Sequence, residues 1–216
     1  MGMTERDGAG MVGTGFQLRR RQALSVALLL PLLGGGLASC GSAPAKNDTF
    51  DLTATAVDQS TAQARNRQVL IADPSALKSL DSEQVVVRVS TSEIQYLSNS
   101  QWSDRLPRMV QSKFVEAFEN TRRLGGVGKP GQGLAIDYQL VTDIHAFEID
   151  TVGADRAVVE MSVKILNDRN GTVKAQKVFS ASVPASGTHN EAYIAALDRA
   201  FAIVTSQIVD WTLRLI

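Results

Sequence analysis

Apolar and polar positions along this chain change rhythm several times, and each rhythm predicts an element. Residues 23–33 are mostly apolar and follow a basic run, Arg19-Arg20-Arg21. Residues 49–53 alternate and predict a first strand, whereas the polar, Ala/Thr/Gln-rich stretch from there to Asn66 has no period and predicts a loop. Residues 68–72 and 84–90 are rich in Val and Ile, bounded by Asp73-Pro74 and Asp81-Ser82, and predict strands. Val85-Val86-Val87 offers apolar side chains to both faces, as an inner strand requires. Ile94-Gln95-Tyr96-Leu97 then leads into a turn-prone Ser98-Asn99-Ser100.

From Leu106 the apolar positions Met109, Val110, Phe114, Ala117 and Phe118 recur at three and four, one stripe of a helix that runs to about Arg122. Pro107 suits only a first turn, where its missing N–H has no partner to lose, so Ser103 or Asp104 is the expected N-cap. Gly125-Gly126-Val127-Gly128-Lys129-Pro130-Gly131-Gln132-Gly133 reads as a glycine cap followed by a surface loop. A phosphate-cradling loop is excluded, since no Ser or Thr follows Lys129 and the glycines come after a helix.

Residues 134–149 alternate through Leu134, Ile136, Tyr138 and Leu140, until Phe147 and Ile149 take over the opposite face. That change of parity near Ala146 predicts a bulge or a strand leaving the sheet. Residues 156–166 alternate through Ala157, Val159, Met161, Val163 and Ile165, and Asn170-Gly171 turns the chain into residues 172–183. An antiparallel meander follows. Thr188 and Glu191 form a capping-box pair ahead of a second long stripe, Tyr193, Ile194, Leu197, Phe201, Val204, Ile208, Trp211 and Leu215. The strands and the two amphipathic helices together predict an α+β fold, a two-layer sandwich with a mainly antiparallel sheet and both long helices on one face.

The stretch Leu37-Ala38-Ser39-Cys40 resembles a bacterial lipobox. The apolar segment before it is too short to span a bilayer, and Pro31 and Gly34-Gly35-Gly36 interrupt its end. Cleavage before Cys40 is therefore expected, with residues 1–39 a lipoprotein signal peptide. The resemblance implies a diacylglyceryl group on the Cys40 thiol and a further chain, such as palmitate, on the freed amine. Several acyl chains, at ~0.8 kcal/mol per buried CH₂, hold a protein that one chain binds only marginally. Residues 40–66 then form a lipidated N-terminus and tether, and residues 67–216 a single periplasmic domain. Gly41 stands where an aspartate resembles an inner-membrane retention signal in enterobacterial lipoproteins, which points to the outer membrane. Arg20-Arg21-Gln22-Ala23-Leu24 has the look of a twin-arginine signal, so the export route stays open, as does Met11 as an alternative start.

Removing residues 1–39 from the 216 leaves 177, enough for one domain with a proper core. Lys and Arg number 22, as do Asp and Glu, and a chain without a basic excess offers no footing to nucleic acid. The one cysteine is consumed by the lipid, so no disulfide framework exists. His145 lies mid-strand and His189 at a helix start, each without Cys, Asp or Glu at ligand spacing, and no serine sits in a strand–turn–helix elbow. Glu148 and Asp150 share a strand face, and near a strand end their carboxylates are expected in water. No catalytic, metal or cofactor site is expected.

The run Gln95-Tyr96-Leu97-Ser98-Asn99-Ser100-Gln101-Trp102-Ser103-Asp104-Arg105-Leu106-Pro107, between a Val-rich strand and an amphipathic helix, resembles the signature of the ABC-type transport auxiliary lipoproteins. These are similar to the third component of the paraquat-inducible transport systems. Asp143-Ile144-His145-Ala146-Phe147, the strand pair around Asn170-Gly171 and the closing helix with Trp211 extend the resemblance from Cys40 to near Ile216. It implies a non-catalytic periplasmic domain on an outer-membrane lipid anchor, working with an inner-membrane ABC transporter (permease and ATPase) and a mammalian-cell-entry (MCE) domain protein. Such systems move phospholipid or other hydrophobic molecules across the envelope, and a homo-oligomer is one form the component would take. A structural or assembly lipoprotein, with no direct part in lipid transport, is the alternative that the same fold would serve. Tyr96 and Trp102 flank the turn at 98–101, where each is either local packing, as when Trp102 staples the helix start, or a contact anchor. One face of that turn is expected to touch the MCE-type partner or a neighbouring copy.

Overall fold

The computed structural model describes residues 47–53 and 63–216, all of them in a unit that spans Ser42–Ile216. Leu37, Ala38, Ser39, Cys40 and most of the expected loop before Asn66 lie outside the described residues. The elements follow as β1 (Asp48–Phe50), β2 (Ala64–Ile71), β3 (Ser75–Ala76), β4 (Gln84–Arg88), β5 (Ile94–Trp102), α1 (Leu106–Thr121), β6 (Leu124–Gly128), β7 (Tyr138–Asp150), β8 (Arg156–Asn167), β9 (Val173–Pro184) and α2 (Asn190–Leu215). The fold is α+β.

Strand β7 organises the sheet. Along one edge it pairs with β8 from Tyr138↔Asn167 to Asp150↔Arg156, and β8 pairs in turn with β9, which is the antiparallel meander that the alternation predicts. Along the other edge it meets β2 at Val69, β3 at Ser75 and β4 at Val86, all parallel, so these read as one strand line that leaves the ladder twice. The first departure holds Pro74, which has no N–H to offer a ladder. Beyond this line the sheet forks, with β6 parallel to β2 at one end, and β5 antiparallel to β4 with β1 parallel outside it at the other. The sheet is thus mixed where a mainly antiparallel one was expected. The cause is connectivity: the chain between β4 and β7 runs through α1, and a long return of that kind lays down parallel strands.

The bulge is where the change of parity puts it, with the β7–β8 register shifting between Ile144 and Ala146. One extra residue there lets Leu140, Ile144, Phe147 and Ile149 all enter the core, each at 1% exposure or less. Trp102 meets the Phe147 ring edge-on at 5.8 Å, Phe201 tilts against it at 5.9 Å, and Phe114 stacks on Phe201 at 5.9 Å. Helices α1 and α2 meet at that stack. α2 lies along β8 and β9, with Trp211 edge-on to Phe179 at 5.3 Å, while α1 lies against β2 and β6. By length and composition α2 would cross a membrane, but Ile194, Leu197, Phe201, Val204 and Ile208 are spent on the core.

The helix ends differ from the expected ones. The N-cap of α1 is Arg105, neither Ser103 nor Asp104, and no side chain caps it; the Leu106 N–H is taken by the Ser82 carbonyl at 3.0 Å. α2 starts from His189, whose carbonyl accepts from Ala192 and Tyr193, so the Thr188–Glu191 box does not form. α1 ends on Arg122 in the left-handed region, φ 55°, with no glycine cap. The glycine run is also not all loop, since its first part is β6. Gly125 is needed there because a Cβ would run into the Arg65 carbonyl on the neighbouring β2.

Candidate functional site

Register places two rows of side chains on the sheet face opposite Phe147 and Ile149. Across β5, β4, β7, β8 and β9 they read Tyr96, Val86, Glu148, Val158, Ser182 and Ile94, Arg88, Asp150, Arg156, Pro184. Glu148 accepts two hydrogen bonds from the Arg88 guanidinium, at 2.5 Å from Nε and 2.9 Å from Nη2. Asp150 accepts from Arg156 Nε at 3.1 Å and Nη2 at 2.8 Å, and from the Val152 N–H at 2.8 Å. The two carboxylates are 7% and 9% exposed, so the expectation that they stand in water is wrong. Neighbouring strands cover them, and a covered carboxylate stays charged only with such donors.

The hydrogen bond to Glu148 raises the Arg88 pKa, burial working against it. The Arg156 hydrogen bond, then that of the Val152 N–H, holds the Asp150 carboxyl below the usual carboxylate range. At this same end of β8, the Tyr193 hydroxyl of α2 donates to Asp155 at 2.5 Å, which with burial pushes the phenol up to about 12.

Tyr96 and Trp102 are separated by the strand that carries both. They are six positions apart and would share a face in a regular strand, but the β4–β5 register takes two steps on β4, Val86 to Gln84, against five on β5, Tyr96 to Gln101. An odd number of extra residues turns the strand over. Trp102 therefore enters the core at 1% exposure and is withdrawn from any contact surface, while Tyr96 stands 43% exposed beside Ile94 at 37%. The turn-prone Ser98-Asn99-Ser100 is this excursion, with Asn99 at φ 56°. It is clasped by the Asn190 amide, which donates to the Ser98 carbonyl at 2.9 Å and Ser100 Oγ at 2.7 Å. Just outside, Thr53 donates from both N–H and Oγ1 to Asp198, each at 2.7 Å, so this part of the expected tether is fastened to α2.

His145, at the bulge, stands between Asp143 at 3.5 Å and Glu160 at 3.3 Å; the cross-strand neighbour is one that spacing along the chain does not reveal. Among the described residues no group of three or more His, Cys, Asp or Glu side chains is placed to hold a metal. A cleft of about 790 Å³ lies between the first turn of α1 and the departing segments of the strand line. Two ion pairs lie within its lining, Arg105 with Asp81 and Arg108 with Asp104, and Lys129 Nζ donates to the Ser112 hydroxyl at 2.7 Å. A lining so polar does not suit an acyl chain.

The fold, the braced sheet face and the exposed pair Ile94 and Tyr96 describe a small α+β domain. The chain belongs to the family of the ABC-type transport auxiliary lipoprotein component, whose model matches residues 50–209. An uncharacterized protein of Bradyrhizobium diazoefficiens is 28% identical over 172 residues, which are 80% of this chain and 46% of that protein; the chain thus spans about half the length of this relative. A crystal structure from Xanthomonas campestris superposes with a TM-score of 0.73 at 28% identity, covering 78% of this chain and 95% of that one. A second crystal structure, of an uncharacterized protein, shares the fold with a TM-score of 0.62 at 15% identity over 77% of this chain and 99% of its own. The family of this chain is described as an auxiliary lipoprotein component of ABC-type transport, a class associated with the cell envelope.

Proposed function

We propose that this chain is the non-catalytic docking lipoprotein of an ABC/MCE-type system that moves phospholipid or other hydrophobic molecules across the envelope. It is held by acyl chains on Cys40 at the periplasmic face of the outer membrane, and it engages the MCE-domain protein, which works with the inner-membrane permease and ATPase. The observation that carries this reading is the family match over residues 50–209 in a chain with Leu37-Ala38-Ser39-Cys40 ahead of it. The polar cleft and the filled core support a division of labour in which cargo travels on the partner.

The test is copurification. The acylated chain, extracted in mild detergent, is expected to bring down an MCE-domain protein, a permease and an ATPase. Recovery of none of the three with a folded, acylated chain overturns the proposal in favour of an assembly role.

A further inference from the structure

Strand β5 has an open edge. The Val89 N–H donates to the Glu93 carbonyl at 3.1 Å, and in the same register Val87 pairs with Gln95, so antiparallel alternation makes 87/95 the next hydrogen-bonded pair. The backbone N–H and C=O groups of Ile94 and Tyr96 therefore point away from β4. Arg88 obeys the same alternation from the other strand, its carbonyl aimed away from β5 and accepting from the Thr151 N–H at 3.0 Å. β1 covers β5 only at Ser100, Gln101 and Trp102. Among the described residues no strand covers the outward groups of Ile94 and Tyr96.

This edge is also undefended. β5 holds no charged residue and no proline, whereas β9, a twelve-residue edge, carries Lys174 and Lys177 and ends in Pro184. Water-exposed edges carry such residues because a bare row of N–H and C=O groups invites another strand. On β5 the invitation is reinforced, since the half-exposed Ile94 and Tyr96 side chains stand on the residues whose backbone faces outward.

Resting on the reading of the chain as a docking component, we propose that β5 at 94–96 receives an extended peptide segment of a partner polypeptide as an added strand. Backbone hydrogen bonds to Ile94 and Tyr96 hold it, and their side chains flank its apolar residue. The size of the opening favours a peptide over a second copy of this chain. It is bounded by the turn before Ile94 and by the excursion at Asn99, and so short a strand contact falls far below the roughly 1,200 Å² that stable domain pairs bury. An uncharged strand calls for an uncharged segment with apolar residues at alternate positions.

The full acylated chain in detergent micelles is panned with a phage-displayed library of random peptides of roughly ten residues, the length of one strand. Proline at position 96 removes an outward N–H and breaks no ladder bond, so Tyr96→Pro is compatible with the fold, which circular dichroism and thermal melting check. Selected peptides are expected to bind the wild-type chain, to weaken with Tyr96→Ala, and to weaken about tenfold further with Tyr96→Pro. Should Tyr96→Pro not fold, N-methylation of alternate residues in the peptides makes the same test from the ligand side, and loss of binding is expected. Equal affinity for the Ala and Pro variants, or no loss on N-methylation, overturns the proposal, as does a library that yields no binder. A dimer seen by native mass spectrometry and abolished by Tyr96→Ala also overturns it, by putting a second copy on the edge. Peptide capture is read on the purified chain, so its failure is a separate result from failed copurification with the transport proteins.

Discussion

Arg88 on β4 and Glu148 on β7 are joined by two hydrogen bonds although they are not register partners: Arg88 lies opposite Asp150, and Glu148 opposite Val86. The diagonal leaves Asp150 to Arg156 and so ties β4, β7 and β8 with two guanidinium–carboxylate pairs. Glu148→Ala strips a part-buried cation of its partner, with water replacing part of the loss at the one-third-exposed Arg88 side chain. A cost of about 1–3 kcal/mol is expected from the urea midpoint, with Glu148→Gln milder.

Asp150 binds a proton less readily in the folded chain than in the unfolded one, because Arg156 and the Val152 N–H stabilise its charged form. Its stabilisation is thus present above the ordinary carboxylate pKa and disappears as pH falls through the lowered value. Urea midpoints taken from about pH 7 to about pH 3 should fall with acid in the wild type and fall less steeply in Asp150→Asn, which starts lower. Identical slopes would show that this carboxylate does not contribute to acid sensitivity.

Phe201 is 1% exposed and lies between Phe114 and Phe147. Phe201→Ala is expected to cost about 3–5 kcal/mol. A melting temperature close to the wild type would place the α2 stripe outside the core.

Gly125→Ala puts a methyl group against the Arg65 carbonyl of β2, where neither backbone gives way without spoiling the β2–β6 pairing. A loss of about 1–3 kcal/mol is expected, the usual cost of overpacking. The matching change at Gly131, with nothing within 4 Å but φ +85°, tests backbone strain without crowding.

Cys40→Ser is expected to abolish incorporation of labelled palmitate and to leave the precursor unprocessed, as the lipobox resemblance implies. Label entering the mutant chain would refute the lipoprotein reading at this residue.

Periodicity in the sequence was enough to locate the long elements. A side chain that must face a core repeats at two residues in a strand and near three and a half in a helix, so β7, β8, β9, α1 and α2 are legible within a few residues. The bulge at His145 was legible for the same reason, as a break in parity. Pairing was not. The parallel attachment of β2, β3 and β4 to β7 depends on contacts between residues some seventy positions apart, as Val69 and Tyr138 are, and nothing in a local pattern encodes such a partner. The glycines of β6 were mistaken for loop because their cause is the Arg65 carbonyl, far away in sequence. Only the assembled sheet decided that Glu148 and Asp150 are covered and paired. Tyr96 and Trp102 show the division most sharply: both aromatics stand in the sequence as equal candidates for contact. The three extra residues on β5, forced by pairing with β4, turn one into the core and leave the other in water.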